Sequence, residues 1–199
     1  MNYLIDPSRI TEFDLNQEEL ELRLLFWICA AGKTAKTATR CLNNLLINNS
    51  FRSKLISPLS ILKNIPDLPT ELKKYGIGCY NAKAKSFHYL IRNELDLKKC
   101  SVEDLEKVPG IGPKTARCFL IHSRRNQNYA GLDTHLLRFL KDLGYTVPKS
   151  TPVGKKYKEL EAVFLKICEQ TKLSASDLDL KIWNAYSSGV PNQILQLVI

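Results

Sequence analysis

The segment Leu105-Glu-Lys-Val-Pro-Gly-Ile-Gly-Pro-Lys-Thr-Ala116 holds the most chemistry in the chain. A short helix should run into Pro109-Gly110-Ile111-Gly112, and Pro113 suits the first position of a new helix, where a missing N–H costs little. Two glycines around one apolar residue allow a tight turn and leave no Cβ atoms in a partner's way. The helix behind them offers free N–H groups and the positive end of its dipole. Such a hairpin can dock one phosphate, and since it reads no base, that binding is independent of sequence. The plainer alternative is an αα-hairpin packed only on its own core.

Lys114 stands in the first turn of the second helix. An ordinary lysine amine, with pKa near 10.4, is unprotonated in only about one part in 2,500 at pH 7. A helix N-terminus and burial both disfavour its charge, and a drop of about 2–3 units would raise the free-amine fraction roughly a hundredfold or more. Lys114 is therefore either an activated nucleophile or a solvated charge against a phosphate. Asp133 precedes the amphipathic run Thr134-His135-Leu136-Leu137-Arg138-Phe139. It can be a helix N-cap, or a carboxylate that stabilises positive charge, and the two coexist: a capping carboxylate is held rigidly and stays ionised.

These groups must be positioned by helices. Strand signals are almost absent, and helical periodicity predicts helices near 17–31, 34–49, 58–64, 69–75, 79–94, 101–107, 113–125, 134–143, 152–170 and 174–187. Ser101 with Asp104 resembles a capping box, Pro58, Pro113 and Pro152 suit first-turn positions, and Ser174 precedes the acidic residues Asp177 and Asp179. The fold class is all-α, without repeats or a long linker.

Composition limits the partners. The 199 residues carry a formal net charge of +9, which favours an anionic partner. A content of 44% hydrophobic and 25% charged residues excludes a mostly disordered chain. No apolar run approaches the roughly 20 residues of a membrane span, and no basic-then-apolar leader opens the sequence. Cys29, Cys41, Cys79, Cys100, Cys118 and Cys168 form no C-x-x-C pair and no zinc-finger spacing, so reduced, mostly buried thiols and no metal site are expected.

The hairpin, Lys114 and the following Ala130-Gly131-Leu132-Asp133-Thr134-His135 together resemble the helix-hairpin-helix DNA glycosylase superfamily. In its glycosylase/lyase members, the lysine two residues after the second hairpin glycine is the nucleophile, and an aspartate opening a later helix assists it. The resemblance implies that Lys114 and Asp133 are catalytic, that Val108, Gly110, Ile111, Gly112 and His135 contact DNA, and that no cofactor is needed. Gly78-Cys-Tyr-Asn-Ala-Lys-Ala-Lys-Ser86, Lys156-Tyr157-Lys158-Glu159-Leu160-Glu161 and Asp177-Leu-Asp-Leu-Lys-Ile-Trp183 look most like the compact archaeal-type 8-oxoguanine glycosylase/AP lyases. That likeness spans roughly 20–190.

The implied architecture has two lobes. One is a central bundle over 27–130 ending in the hairpin (about 101–125), and the other joins 1–26 to 131–199, with DNA in the cleft between them. The implied reaction is excision of a damaged base from duplex DNA, with 8-oxoguanine first and an oxidised pyrimidine second. The implied protein is a monomer, away from membranes and inside the cell with DNA. A non-catalytic helix-hairpin-helix binding module is the alternative from another class. It leaves the joint placement of Lys114 and Asp133 unexplained.

The sequence departs from the family in three places. Only Cys168 follows Asp133, so the four-cysteine iron–sulfur cluster of some members is not expected. The run Ser188-Gly189-Val190-Pro191-Asn192 is followed by no lysine that could help recognise the base. The loop after the first long helix reads Ala30-Ala31-Gly32-Lys33, without the asparagine that fills the gap left by an extruded base. The last two touch base recognition and strand opening and leave the chemistry intact. Trp183, Asp179 and Ala30 are the residues expected at the base pocket, where Trp183 either stacks on an extruded base or is ordinary core of an amphipathic helix. Trp27, in the apolar run Leu24–Ile28, reads as core. Lys33, Lys36, Arg40, Lys83, Lys85, Arg124 and Arg125 read as solvated charges, some lining the DNA groove, and Lys155–Lys158 as a wet helix face.

Overall fold

The computed structural model describes residues 4–50 and 57–198. Among them every regular element is helical: a 3-10 turn at Pro7–Arg9, then α1 (Gln17–Ala30), α2 (Ala35–Ser50), α3 (Pro58–Lys63), α4 (Leu68–Lys74), α5 (Tyr80–Asn93), α6 (Val102–Glu106), α7 (Pro113–Ser123), α8 (Thr134–Asp142), α9 (Gly154–Thr171), α10 (Ala175–Ser187) and α11 (Asn192–Leu195). The ten expected helices are present. The 3-10 turn and α11 were not anticipated, being too short to show a period. The expected first-turn place of Pro152 does not hold, because Val153 caps α9 and the helix begins at Gly154.

Two apolar cores organise these helices. In the first, α1 is buried nearly all round, from Leu20 to Phe26, so it forms the centre against which α2, α3, α5 and α7 pack. Leu42, Leu45, Phe87, Leu105 and Phe119 complete this core. The second comprises Leu136, Phe139 and Leu140 of α8, Tyr157, Leu160 and Phe164 of α9, and Leu178 and Ile182 of α10. The spacing 157, 160, 164, 167 on α9 is one helical stripe.

The expected grouping of 1–26 with 131–199 differs from this packing. Ile5, Ile10, Leu15 and Leu20 lie in the first core, because the N-terminal segment is tied along α1, α2 and α7. Asn43 holds both backbone groups of Ile5 (3.0 and 3.0 Å), Arg23 reaches the Arg9 carbonyl (3.1 Å), and the Glu12 N–H donates to the His122 carbonyl (3.0 Å). Helix α7 joins the two cores, with Phe119 and Leu120 in the first and Ile121 in the second.

Local signals explain where helices start. Ser101 and Asp104 form the anticipated capping box of α6, and Ser174 caps α10. All six cysteines are free thiols, five of them buried.

Candidate active site

The hairpin between α6 and α7 is built on its own glycines. Gly110 has φ +84, a region L side chains rarely adopt, and a Cβ there would stand 3.0 Å from Ser86 Oγ. Ser86 itself donates a hydrogen bond to the Pro109 carbonyl, fastening the turn to α5. Gly112, by contrast, has open space where its Cβ would be, and no side chain caps the first turn of α7. The backbone there is free for an anion. Val108 and Ile111 turn their side chains into the first core. They are 1% and 4% exposed, and their N–H groups close the turn on Leu105 and Val108 carbonyls. Their apolar side chains anchor the hairpin on the first core.

Lys114, Cys118 and His122 are four residues apart, so they form one stripe along α7 facing a cavity of about 800 Å³. The cavity lies between the two cores. Ala30 at the end of α1, Asp133, His135, and Asp179 and Trp183 on α10 also line it. All the residues expected for catalysis and for the base pocket therefore meet in one place. The hairpin glycines lie outside its wall.

Asp133 is the N-cap of α8, with Oδ1 accepting the His135 and Leu136 N–H groups at 2.8 and 2.9 Å. The loop that carries it is clamped from below. Tyr157 donates to the Ala130 carbonyl (2.5 Å) and accepts the Leu132 N–H (3.3 Å), while Glu161 accepts the Ala130 N–H (2.9 Å). Arg117 on α7 bonds Glu161 (2.8 Å) and Glu106 (2.9 Å) and lies 4.5 Å over the Tyr157 ring. Thus the helix that bears Lys114 also fixes the loop that bears Asp133. Gly131 is required there for space: a Cβ would fall closer than 3.0 Å to Cys118 Sγ.

The electrostatics correct one expectation. Burial pulls the Lys114 amine down, as anticipated, but Cys118, Asp133 and Asp179 at its side outweigh it and the net shift is upward. Burial in turn raises the Cys118 thiol, against the opposing effect of Lys114. Lys114 therefore rests as an ammonium, with Nζ 5.2 Å over the Trp27 ring. Asp133 is raised by burial and by Asp179, against the opposing effects of the Leu136 N–H and Lys114.

Several residues play parts the sequence did not disclose. Trp27, read as core, lines the cavity and stacks on His122 with centroids 5.4 Å apart. Asp179, read also as a dipole partner of α10, instead meets His122 Nε2 at 3.0 Å, and His122 Nδ1 meets Thr11 Oγ1 at 2.6 Å. His135 turns inward, its ring 6.3 Å edge-on to Trp183 and its Nδ1 buried without a hydrogen-bond partner among the described residues. Tyr157, taken for part of a wet face, is 1% exposed. Lys83 caps the end of α1 through the Cys29 and Ala31 carbonyls (2.9 and 3.1 Å), Arg124 binds the Cys100 and Leu97 carbonyls, and Arg125 pairs with Asp14, so these three do not stand as free groove charges. The signals for His122 were its i+8 spacing from Lys114 and its apolar neighbours. Thr11 gave none. Among the described residues no cluster of three or more His, Cys, Asp or Glu could hold a metal, and no helix is long and apolar enough to cross a membrane.

A helix-hairpin-helix motif model matches residues 94–122. The chain is 34% identical to the 8-oxoguanine DNA glycosylase/AP lyase of Methanocaldococcus jannaschii, covering 90% of this chain and 87% of that protein. It is 26% identical to the protein of the same description from Picrophilus torridus, covering 88% and 85%. The crystal structure of the M. jannaschii 8-oxoguanine glycosylase/lyase with a 15mer DNA containing 8-oxoguanine superposes with TM-score 0.67 and 26% identity, over 88% of this chain and 84% of that one.

Proposed function

This chain belongs to the 8-oxoguanine DNA glycosylase/AP lyase family, and from that membership we propose that it removes 8-oxoguanine from duplex DNA and then cuts the strand, with Lys114 as nucleophile and Asp133 as its partner. The observation that carries the reading is that Lys114 and Asp133 line the same cavity of about 800 Å³, within the size range of small-molecule sites.

The uncapped start of α7 and the open backbone at Gly112 receive a phosphate, which sets the register of the duplex without reading a base. The damaged nucleotide leaves the stack and enters the cavity, where Trp183 offers a stacking face and Ala30 and Asp179 form walls. His135 lines the cavity beside Asp133, its ring against Trp183. Lys114, once deprotonated, attacks C1′ of the deoxyribose and the base departs with the glycosidic electron pair. Asp133, fixed by two backbone amides, stabilises the positive charge that develops on the sugar. The Schiff base then permits β-elimination 3′ to the lesion. The enzyme acts as a monomer, with the DNA inside the cell, and requires no cofactor.

Borohydride trapping tests this reading. The protein is incubated with duplexes containing 8-oxoguanine, thymine glycol, uracil or an abasic site, with Lys114→Gln in parallel. The expected result is an adduct on 8-oxoguanine and on the abasic site, absent in the variant, which retains DNA binding. Trapping on thymine glycol alone would move the substrate to oxidised pyrimidines. No adduct on any duplex, with DNA binding intact, would leave a binding module.

A further inference from the structure

Among the described residues no hydrogen bond or ion pair holds the Lys114 amine, which rests instead over an aromatic face. Nζ stands 5.2 Å over the Trp27 ring. That is within the roughly 6 Å at which a cation is attracted to the electron-rich face of an indole. The ring itself is fixed. Its plane lies 20° from that of His122, with centroids 5.4 Å apart, and Phe26 meets it edge-on at 5.3 Å. His122 is held at both ring nitrogens, by Asp179 at 3.0 Å and by Thr11 at 2.6 Å. Trp27 is half-buried and lines the cavity, and its Nε1 is buried without a hydrogen-bond partner among the described residues. Its N–H therefore gives no reason for an indole here, whereas its face meets the amine.

We propose that Trp27 is a further residue of the reaction, whose indole face stabilises positive charge on Lys114 Nζ from the resting ammonium through to the Schiff base. The inference rests on Lys114 being the nucleophile. Nζ is neutral only when it attacks. Before that step it is an ammonium, and after it the Schiff base is an iminium with its charge on the same nitrogen. An aromatic face attracts any cation placed over it and has no proton to gain or lose, so it serves both charged states alike. Helices α1 and α7 pack on each other, and Trp27 is seated on the first core. The face and the nucleophile are thus set against each other by the fold.

At the aldehyde of an abasic site, the Nζ lone pair forms a bond to C1′ and the π pair of the carbonyl moves to oxygen, which takes a solvent proton. An N–H proton passes to solvent. The hydroxyl takes a second solvent proton and leaves as water, and the nitrogen lone pair closes the N=C1′ bond. Positive charge ends on Nζ, over the ring, until a hydride delivered to C1′ removes it. The ionisable groups that line the cavity with Lys114 are Lys33 beyond α1, Cys118 and His122 on α7, Asp133 and His135 at the head of α8, and Asp179 on α10. A change at Trp27 alters the identity of none of them.

The test is single-turnover trapping by cyanoborohydride on a duplex with a preformed abasic site, from about pH 6 to about pH 10. Wild type is compared with Trp27→Phe and Trp27→Leu, and Trp183→Phe is made with ordinary or with ring-fluorinated tryptophan. The chain has two tryptophans, so in that variant Trp27 alone carries the fluorine. Fluorine draws electron density from the ring face at nearly constant shape, which weakens its hold on a cation. Trp27→Leu and fluorination are each expected to move the rise of the profile down by about one pH unit and to lower its alkaline plateau about tenfold, because charge on Nζ loses its face both before and after attack. Trp27→Phe, with a weaker face, should fall between wild type and Trp27→Leu. The sign of the shift is decisive for Trp27→Leu. A smaller side chain that merely admits water would raise the amine pKa and move the rise up. A rise that moves up in Trp27→Leu, a profile unmoved by fluorination, or Trp27→Phe equal to Trp27→Leu overturns the proposal. A wild type that traps nothing overturns instead the reading of Lys114. Circular dichroism verifies folding, and if Trp27→Leu does not fold, the fluorinated protein decides.

Discussion

Gly131→Ala should damage both stability and catalysis, through space alone. Gly131 is not in the left-handed region, so its backbone tolerates a side chain. The added Cβ, however, would stand under 3.0 Å from Cys118 Sγ, whose side chain is short and fixed in α7. Ordinary contact needs about 3.5–4.0 Å, so the loop and the helix must part by at least roughly half an ångström. Overpacking of this kind costs about 1–3 kcal/mol. Asp133 follows two residues later on the same clamped loop. A displacement approaching 1 Å at a reacting group costs on the order of a hundredfold, so roughly tenfold to a hundredfold is expected in single-turnover excision. Urea denaturation gives the first number and quenched-flow cleavage of a lesion duplex the second. Cys118→Ala in the same chain removes the obstructing sulfur, so the double variant should recover a coupling energy of about 0.5–3 kcal/mol. Gly131→Ala with wild-type stability and rate, or a double variant no better than the sum of the singles, would refute the steric argument.

Asp133→Asn keeps an N-cap of equal quality and removes a carboxyl that burial and Asp179 push upward. Because its folded pKa is raised, the ionised group costs stability above that pKa, and the cost vanishes below the unfolded value near about 3.9. The variant should therefore melt higher than wild type at neutral pH, the gain disappearing in acid, while excision falls at least about a hundredfold. Tyr157→Phe leaves the Ala130 carbonyl and Leu132 N–H unpaired in the core, so urea denaturation should show a loss of about 1–3 kcal/mol, accompanied by slower excision. Gly110→Ala forces an alanine to φ +84 against Ser86, at about 1–2 kcal/mol. Fluorescence anisotropy should then show equal weakening on damaged and undamaged duplexes, because the hairpin carries no base readout.

The helices were legible because their signals are local. The α9 stripe, the Ser101–Asp104 box and the Pro113 start each depend on residues within a few positions, and the two-motif order of hairpin and Asp133 identified the pair that shares the cavity. What the sequence could not show depends on residues far apart in the chain. Thr11 reaches His122 across 111 positions, and His122 reaches Asp179 across 57. The charge state of Lys114 is the clearest case. Helix position and burial predict a lowered pKa, and only folding brings Asp133 and Asp179 beside the amine and reverses the sign. The same holds for Val108, Ile111 and Tyr157, whose side chains are assigned to core or surface by what packs on them. Local pattern determined where helices run and which residue types can react. Tertiary structure alone decided the field those residues feel and which backbone groups stay open, since Coulomb interactions and burial act through space and not along the chain.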